Sequence, residues 1–255
     1  MGKNFLSILF LAALLAACKE KAKERTDVPL AVADSAAAKP AEVSTGNKIV
    51  PDTAAIEQQL IAAGLVEIAS ADSSISVDLK YSSCDNFLFA DMYGDLEKCY
   101  LQPDVALKLK KAQELLKEKY PYYSLIVFDG VRPRSIQARM WDTIAVPAYE
   151  RSKYVSNPQN GSLHNFGAAV DLSIIDENGI LLDMGTPYDF FGELAYPREE
   201  QRMIREGRLT HKQLFNREIL REAMQAAGFT GITTEWWHFN SCSRNEAVLK
   251  YKIVE

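Results

Sequence analysis

Histidine is scarce in this chain, three in 255 residues, so a site built on imidazole must draw on nearly all of them. Basic residues do not outnumber acidic ones. The 29 Lys and Arg stand against 34 Asp and Glu, a formal charge of −5, which argues against a nucleic-acid partner. Past the first 18 residues no apolar run is long enough to cross a membrane. No internal repeat is evident. Residues 19 to about 50 contain no aromatic side chain and are rich in Ala, Lys, Glu, Asp, Ser and Thr. Such a segment cannot bury enough apolar surface to fold alone and reads as a flexible tether.

What is present begins with an export pattern. Lys3 supplies a charged start, and Phe5 to Leu15 is an almost unbroken apolar run, too short for a stable membrane anchor. Leu15-Ala16-Ala17-Cys18 then matches bacterial lipoprotein processing, in which the cysteine becomes the lipidated first residue; an ordinary cleaved signal is the alternative. The expected organisation is a signal peptide with lipidation cysteine over 1–18, a tether over 19–50 and one domain over 51–255. The expected location is that of an exported bacterial lipoprotein, periplasmic or attached to the outer membrane. In an oxidising compartment Cys84 and Cys99, which flank a loop, are expected to bridge, the alternative being two buried thiols that never meet. Cys242 is left as a buried thiol.

Within the domain, Pro103 followed by Val105, Leu109, Ala112 and Leu116 predicts a helix with an apolar stripe. Ser124–Phe128 predicts a buried strand ended by Asp129-Gly130, and Arg134–Trp141 a short helix. The alternation from Ala169 to Ile174 has the period of a strand. Asp176-Glu177-Asn178-Gly179 then predicts a turn, with Ile180 to Met184 returning as a hairpin partner. Thr210 is placed to cap a helix to about Ala227, stopped by Gly228. Thr233 to Asn240 reads as a strand. The mixture predicts an α+β domain with helices packed on a mainly antiparallel sheet.

Two of the three histidines lie in short segments, each with a carboxylate at a useful offset. The first is Ser162-Leu163-His164-Asn165-Phe166-Gly167-Ala168-Ala169-Val170-Asp171, the second Glu235-Trp236-Trp237-His238. His164, Asp171 and His238 supply two imidazoles and one carboxylate, a three-ligand zinc set with a fourth position open to water. One zinc per chain is expected. Glu235, three positions before a ligand, is placed to take a proton from that water. Residues three apart on a strand face opposite sides, so the backbone must bend between Glu235 and His238 for both to reach one ion. The third histidine, His211, sits in a polar helix start and is expected to face solvent.

These segments resemble the zinc D,D-peptidases of the Hedgehog/DD-peptidase fold. The pattern Ser-x-His-x-x-Gly-x-Ala-x-Asp is matched at Ser162, His164, Gly167 and Asp171, with Phe166 before the glycine and Ala169 two before the aspartate. More narrowly, the chain resembles the VanX-type D-alanyl-D-alanine dipeptidases. That likeness rests on Tyr81-Ser82-Ser83-Cys84-Asp85-Asn86-Phe87, Phe128-Asp129-Gly130-Val131-Arg132-Pro133, Met184-Gly185-Thr186-Pro187-Tyr188-Asp189-Phe190 and Glu235-Trp236-Trp237-His238, over roughly residues 65 to 255. The resemblance implies that Arg132 stabilises the oxyanion, with Arg134 a nearby competitor. It also implies that Ser162 donates to substrate or caps its loop, and that Asp189 holds the substrate's amino end.

The expected activity is zinc-dependent hydrolysis of the D-Ala-D-Ala dipeptide. A D,D-carboxypeptidase or peptidoglycan endopeptidase of the same fold is the runner-up, and a non-catalytic zinc-bearing binding lipoprotein a third reading. An exported enzyme cannot reach a cytoplasmic pool, so the expected role is turnover of wall-derived dipeptide outside the inner membrane, with the membrane reached through the N-terminal lipid.

Overall fold

The structure, a computed structural model, describes residues 53–255. The expected signal peptide, Cys18 and the tether over 19–50 lie outside the described residues. The chain runs through α1 (Thr53–Ala62), β1 (Val66–Glu67), α2 (Ile68–Ala71), β2 (Ser76–Val77), β3 (Tyr100–Leu101), α3 (Pro103–Lys119), β4 (Ser124–Asp129) and α4 (Arg134–Thr143). It continues with β5 (Ala169–Ile175), α5 (Glu200–Arg205), α6 (His211–Ala226), β6 (Thr230–Gly231), β7 (His238–Asn240) and α7 (Arg244–Lys250).

Five strands form one sheet in the order β2-β4-β5-β7-β6, in which only the β2–β4 pair is parallel. A small antiparallel pair, β1–β3, stands apart. The α+β architecture on a mainly antiparallel sheet therefore holds. Among the described residues, no helix is long and apolar enough to cross a membrane.

The core is built from the stripes that the sequence predicts. Val105, Leu109, Ala112 and Leu116 of α3 are buried and pack towards Ile219, Leu220, Ala223 and Met224 of α6. Pro103 opens α3 because the missing N–H costs nothing in a first turn. Thr210 caps α6, its hydroxyl accepting from the Gln213 N–H at 3.2 Å while Gln213 reaches back to the Thr210 N–H at 2.8 Å. Gly228, at φ +88°, follows its end. His211 opens that helix and is exposed, as expected. β5 is central and buried on both faces: Val170, Leu172 and Ile174 enter the core, and Asp171 points to the other side.

Three expectations are corrected. The strand drawn over 233–240 begins only at His238, and Glu235 sits in a bent segment before it; this is the bend that bringing Glu235 and His238 to one ion requires. The hairpin return over 180–184 shrinks to a single bridge, Ile175 to Leu181, because Asp176 spends its side chain closing the turn on the Asn178 and Ile180 amides. The Cys84–Cys99 bridge is not formed. Cys99 is a free, buried thiol wedged against Gly130, where even a Cβ would lie 2.4 Å from its sulfur, and burial pushes its pKa up. Cys242 is a half-buried free thiol.

Candidate metal centre and cleft

The sheet brings the three expected ligands together. Asp171 on β5 and His238 on β7 are direct cross-strand partners, and neighbours in that register have side chains within reach of one another. His164 arrives from a short 3-10 turn over Leu163–Phe166 that ends at Gly167. Gly167 is at φ +64°, and a Cβ there would meet Leu65 Cδ2 at 2.5 Å, so the turn into β5 requires glycine. That turn sets the spacing between His164 and Asp171.

One donor atom from each residue lies within 4.8 Å of the others. His238 Nδ1 is 2.9 Å from Asp171 Oδ1, and His164 Nε2 is 3.4 Å from the same oxygen and 3.2 Å from His238 Nδ1. The far nitrogens set the tautomers. His164 Nδ1–H donates to the Gly130 carbonyl at 2.7 Å, which leaves Nε2 with its lone pair facing the cluster. His238 Nε2–H donates to Asn240 Oδ1 at 2.8 Å, which leaves Nδ1 facing it. Tyr188 donates its hydroxyl to Asp171 Oδ2 at 3.0 Å and so orients the carboxylate. Two nitrogens and one oxygen converging on a point, each backed by a hydrogen bond, fit a single divalent ion of the zinc type with a further position free.

Electrostatics agree with that geometry. Burial opposes charge on Asp171, yet the two imidazoles hold its carboxyl well below the usual range. Burial also opposes protonation of His238, but the Asp171 and Glu235 carboxylates outweigh it and raise the pKa to about 9.

The cluster lines a cleft of about 290 Å³. Glu235 is on its wall, and burial, with Asp171 nearby, raises its pKa above the ordinary glutamate value. Among the described residues no hydrogen bond ties the Glu235 carboxylate down. Arg132 also lines the cleft. Its Nε donates to Asp129 Oδ2 at 3.0 Å and its backbone N–H to the His164 carbonyl at 3.0 Å, so the guanidinium is mounted beside a ligand. Asp129, fully buried, is held in turn by the Tyr93 hydroxyl at 2.7 Å and the Gly130 N–H at 3.0 Å. Arg134 points elsewhere, to Glu255 at 3.1 Å.

Asp189 lines the cleft in a left-handed backbone conformation, φ +59°, with the Tyr81 hydroxyl donating to its Oδ2 at 2.9 Å. Burial and the neighbouring Asp171 push its carboxyl well up, so a cationic group arriving there would restore its charge. Ser162 reaches the cleft wall, but its hydroxyl donates to Gln137 Oε1 at 2.8 Å, and its N–H meets Asn165 Oδ1. Its one donor is thus directed at Gln137 on α4.

Sequence reasoning missed Asn240, Tyr188, Asp129 and Tyr93 as parts of the site. Tyr188 and Asp129 lie in quoted motifs. Asn240 had a local signal: two residues after His238 on a strand, it shares the face of that ligand.

A family model described as D-Ala-D-Ala dipeptidase, of the M15 peptidases, matches residues 61–253. A D-alanyl-D-alanine dipeptidase of Escherichia coli K12 is 31% identical over 181 residues, covering 69% of this chain and 83% of that protein. Proteins of the same name from Enterococcus faecalis V583 and Synechocystis are 27% and 26% identical, over 64% and 55% of this chain and 83% and 68% of their own lengths.

Proposed function

This chain belongs to the M15 family of D-Ala-D-Ala dipeptidases, a group of metallopeptidases, and from that premise we propose that it hydrolyses D-Ala-D-Ala with zinc held by His164, Asp171 and His238. The observation that carries the reading is the pair of tautomers set by Gly130 and Asn240. They aim two nitrogens at the Asp171 carboxylate, beside a mounted arginine and a glutamate that no hydrogen bond ties down among the described residues. The α+β sheet with these ligands on and beside its central strands also supports assignment to the Hedgehog/DD-peptidase fold.

When bound, zinc supplies a Lewis acid for the peptide carbonyl and an acidic water. Glu235 takes the proton from the attacking water and delivers it to the leaving amine; its raised pKa suits both halves of that transfer. Arg132, kept charged and fixed by Asp129, donates to the oxygen that gains negative charge. Asp189 receives the free ammonium of the dipeptide. The division of labour is tested by zinc stoichiometry and kcat together. Glu235→Ala should keep zinc and lose at least ~10²-fold in kcat. Arg132→Ala should keep zinc and lose ~10²–10³-fold. His238→Ala should lose much of the metal. A Glu235→Ala protein that stays active, or sheds zinc as readily as His238→Ala, refutes the assignment.

The export pattern ending at Cys18 supports a lipid-anchored enzyme that turns over wall-derived dipeptide outside the inner membrane. Full-length protein expressed in a bacterium should partition with membranes and incorporate labelled fatty acid, and Cys18→Ala should abolish the label. Absence of label on the unaltered chain removes the lipid anchor from the proposal.

A further inference from the structure

A dipeptide carries a free carboxylate as well as a free ammonium, and the groups assigned so far leave the carboxylate without a counter-charge. Burying it in the cleft without one is costly. Apart from the two histidines, the cations on the cleft wall are Arg132 and Arg244. Arg132 is already neutralised by Asp129. Arg244 has no carboxylate partner among the described residues. It is nevertheless held in place: its Nη1 donates to the Gly161 carbonyl at 3.0 Å and its Nη2 to the Asn160 carbonyl.

Its mount is rigid as well. Arg244 opens α7, whose N-terminus is closed by a capping box: Glu246 Oε2 accepts the Ser243 N–H at 2.8 Å, and the Ser243 hydroxyl accepts the Glu246 N–H. Two of the five guanidinium N–H groups are spent on the carbonyls, so three remain. The carbonyl it grips belongs to Gly161, three residues before His164, and Arg244 itself follows His238 by six. Arg244 is an exposed residue, and its guanidinium shares one cleft wall with His164, Asp171 and His238.

Resting on the dipeptidase reading, we infer that Arg244 binds the substrate's terminal carboxylate and so enforces the requirement for a free C-terminus. With Asp189 on the ammonium, the cleft reads both ends of the dipeptide. A planar guanidinium with donors to spare matches a carboxylate geometrically, which a lysine would do less well.

The test compares D-Ala-D-Ala with its C-terminal amide, in unaltered enzyme and in Arg244→Met and Arg244→Lys, with zinc content measured throughout. Arg244→Met should raise KM for D-Ala-D-Ala about tenfold or more, with kcat changed far less. For the amide, kcat/KM should move by less than about twofold. Arg244→Lys should recover part of the loss on the acid alone. Equal losses on both substrates would mean that Arg244 only braces the 160–161 loop, and no loss on either would mean that it does not meet the carboxylate; each overturns the inference. If the amide turns over too slowly to rank the variants, calorimetric binding of D-Ala-D-Ala to Glu235→Ala, with and without Arg244→Met, decides instead: tenfold weakening supports the inference, and unchanged affinity overturns it. Zinc-loaded unaltered enzyme that hydrolyses neither substrate overturns the dipeptidase reading itself, and this inference with it.

Discussion

Replacing Arg217 with methionine tests whether the segment carrying Tyr188 and Asp189 is held from behind by a single buried cation. Arg217, on α6, is 1% exposed. Its Nε donates to the Met184 carbonyl at 2.7 Å, its Nη2 to the Leu194 carbonyl at 2.9 Å and its Nη1 to Glu200 Oε1 at 3.4 Å. One side chain thus clamps both ends of the stretch 184–194. Methionine approximates the volume and removes every donor. Glu200 would not be stranded, because Arg221 reaches both its oxygens at 2.7 and 2.8 Å. The two carbonyls would be, at about 1–3 kcal/mol each, so the expected loss is roughly 2–6 kcal/mol. With a urea slope of about 2 kcal/mol per M, the unfolding midpoint should fall by roughly 1–3 M at unchanged slope. KM should rise alongside, because Asp189 loses its fixed aim, while zinc content stays near one per chain because no ligand is touched. A stability loss below about 0.5 kcal/mol, the range of an ordinary surface change, would show that Arg217 does not clamp this segment.

Two further outcomes follow from the metal centre. Asn240→Leu should weaken zinc binding about 10–100-fold, because His238 Nε2–H loses its acceptor and the ligand its orientation; unchanged affinity in a competition titration would exclude that role. The metal-free His238, with its pKa raised to about 9, carries a proton at neutral pH that zinc must displace. Affinity should therefore fall about tenfold per pH unit below about 9 and level off above it, with close to one proton released per zinc at pH 7 by calorimetry in buffers of different ionisation enthalpy. The stability of the metal-free fold has the opposite pH dependence, since the folded pKa lies above the ordinary 6.5. The stability contributed by this group is complete below that value and is lost as pH rises through about 9. Absence of proton release at neutral pH would refute the Asp171–His238 pairing.

The residues that meet in the His-Asp-His cluster, and the glutamate on the same cleft wall, could be named in advance because their chemistry is a property of residue type. In a chain with three histidines, two imidazoles with a nearby aspartate and a glutamate leave few other assignments. Local signals also sufficed where the forces are local: Pro103 and Thr210 start their helices through backbone groups within a few residues, and the stripe of α3 repeats at helical period. The strand over 233–240 was misplaced because period-2 apolarity does not distinguish a ladder from a bent segment whose tryptophans pack inward. The Cys84–Cys99 bridge was misjudged because loop span says nothing about where a sulfur points, and Cys99 points at Gly130.

What the linear sequence determined, then, is the His-Asp-His cluster, the helix starts and the α+β class, all consequences of side-chain chemistry and short-range pattern. Tertiary structure alone decided which nitrogen of His164 faces the cluster, since that depends on the Gly130 carbonyl 34 residues away, and it supplied the register that sets Asp171 beside His238. It also decided that the Ser162 hydroxyl turns to Gln137 on α4, that Arg132 and not Arg134 lines the cleft, and that Arg244 stands there without a carboxylate partner among the described residues. Hydrogen bonds are directional and short, so groups tens of residues apart become partners only when the fold has closed the distance between them.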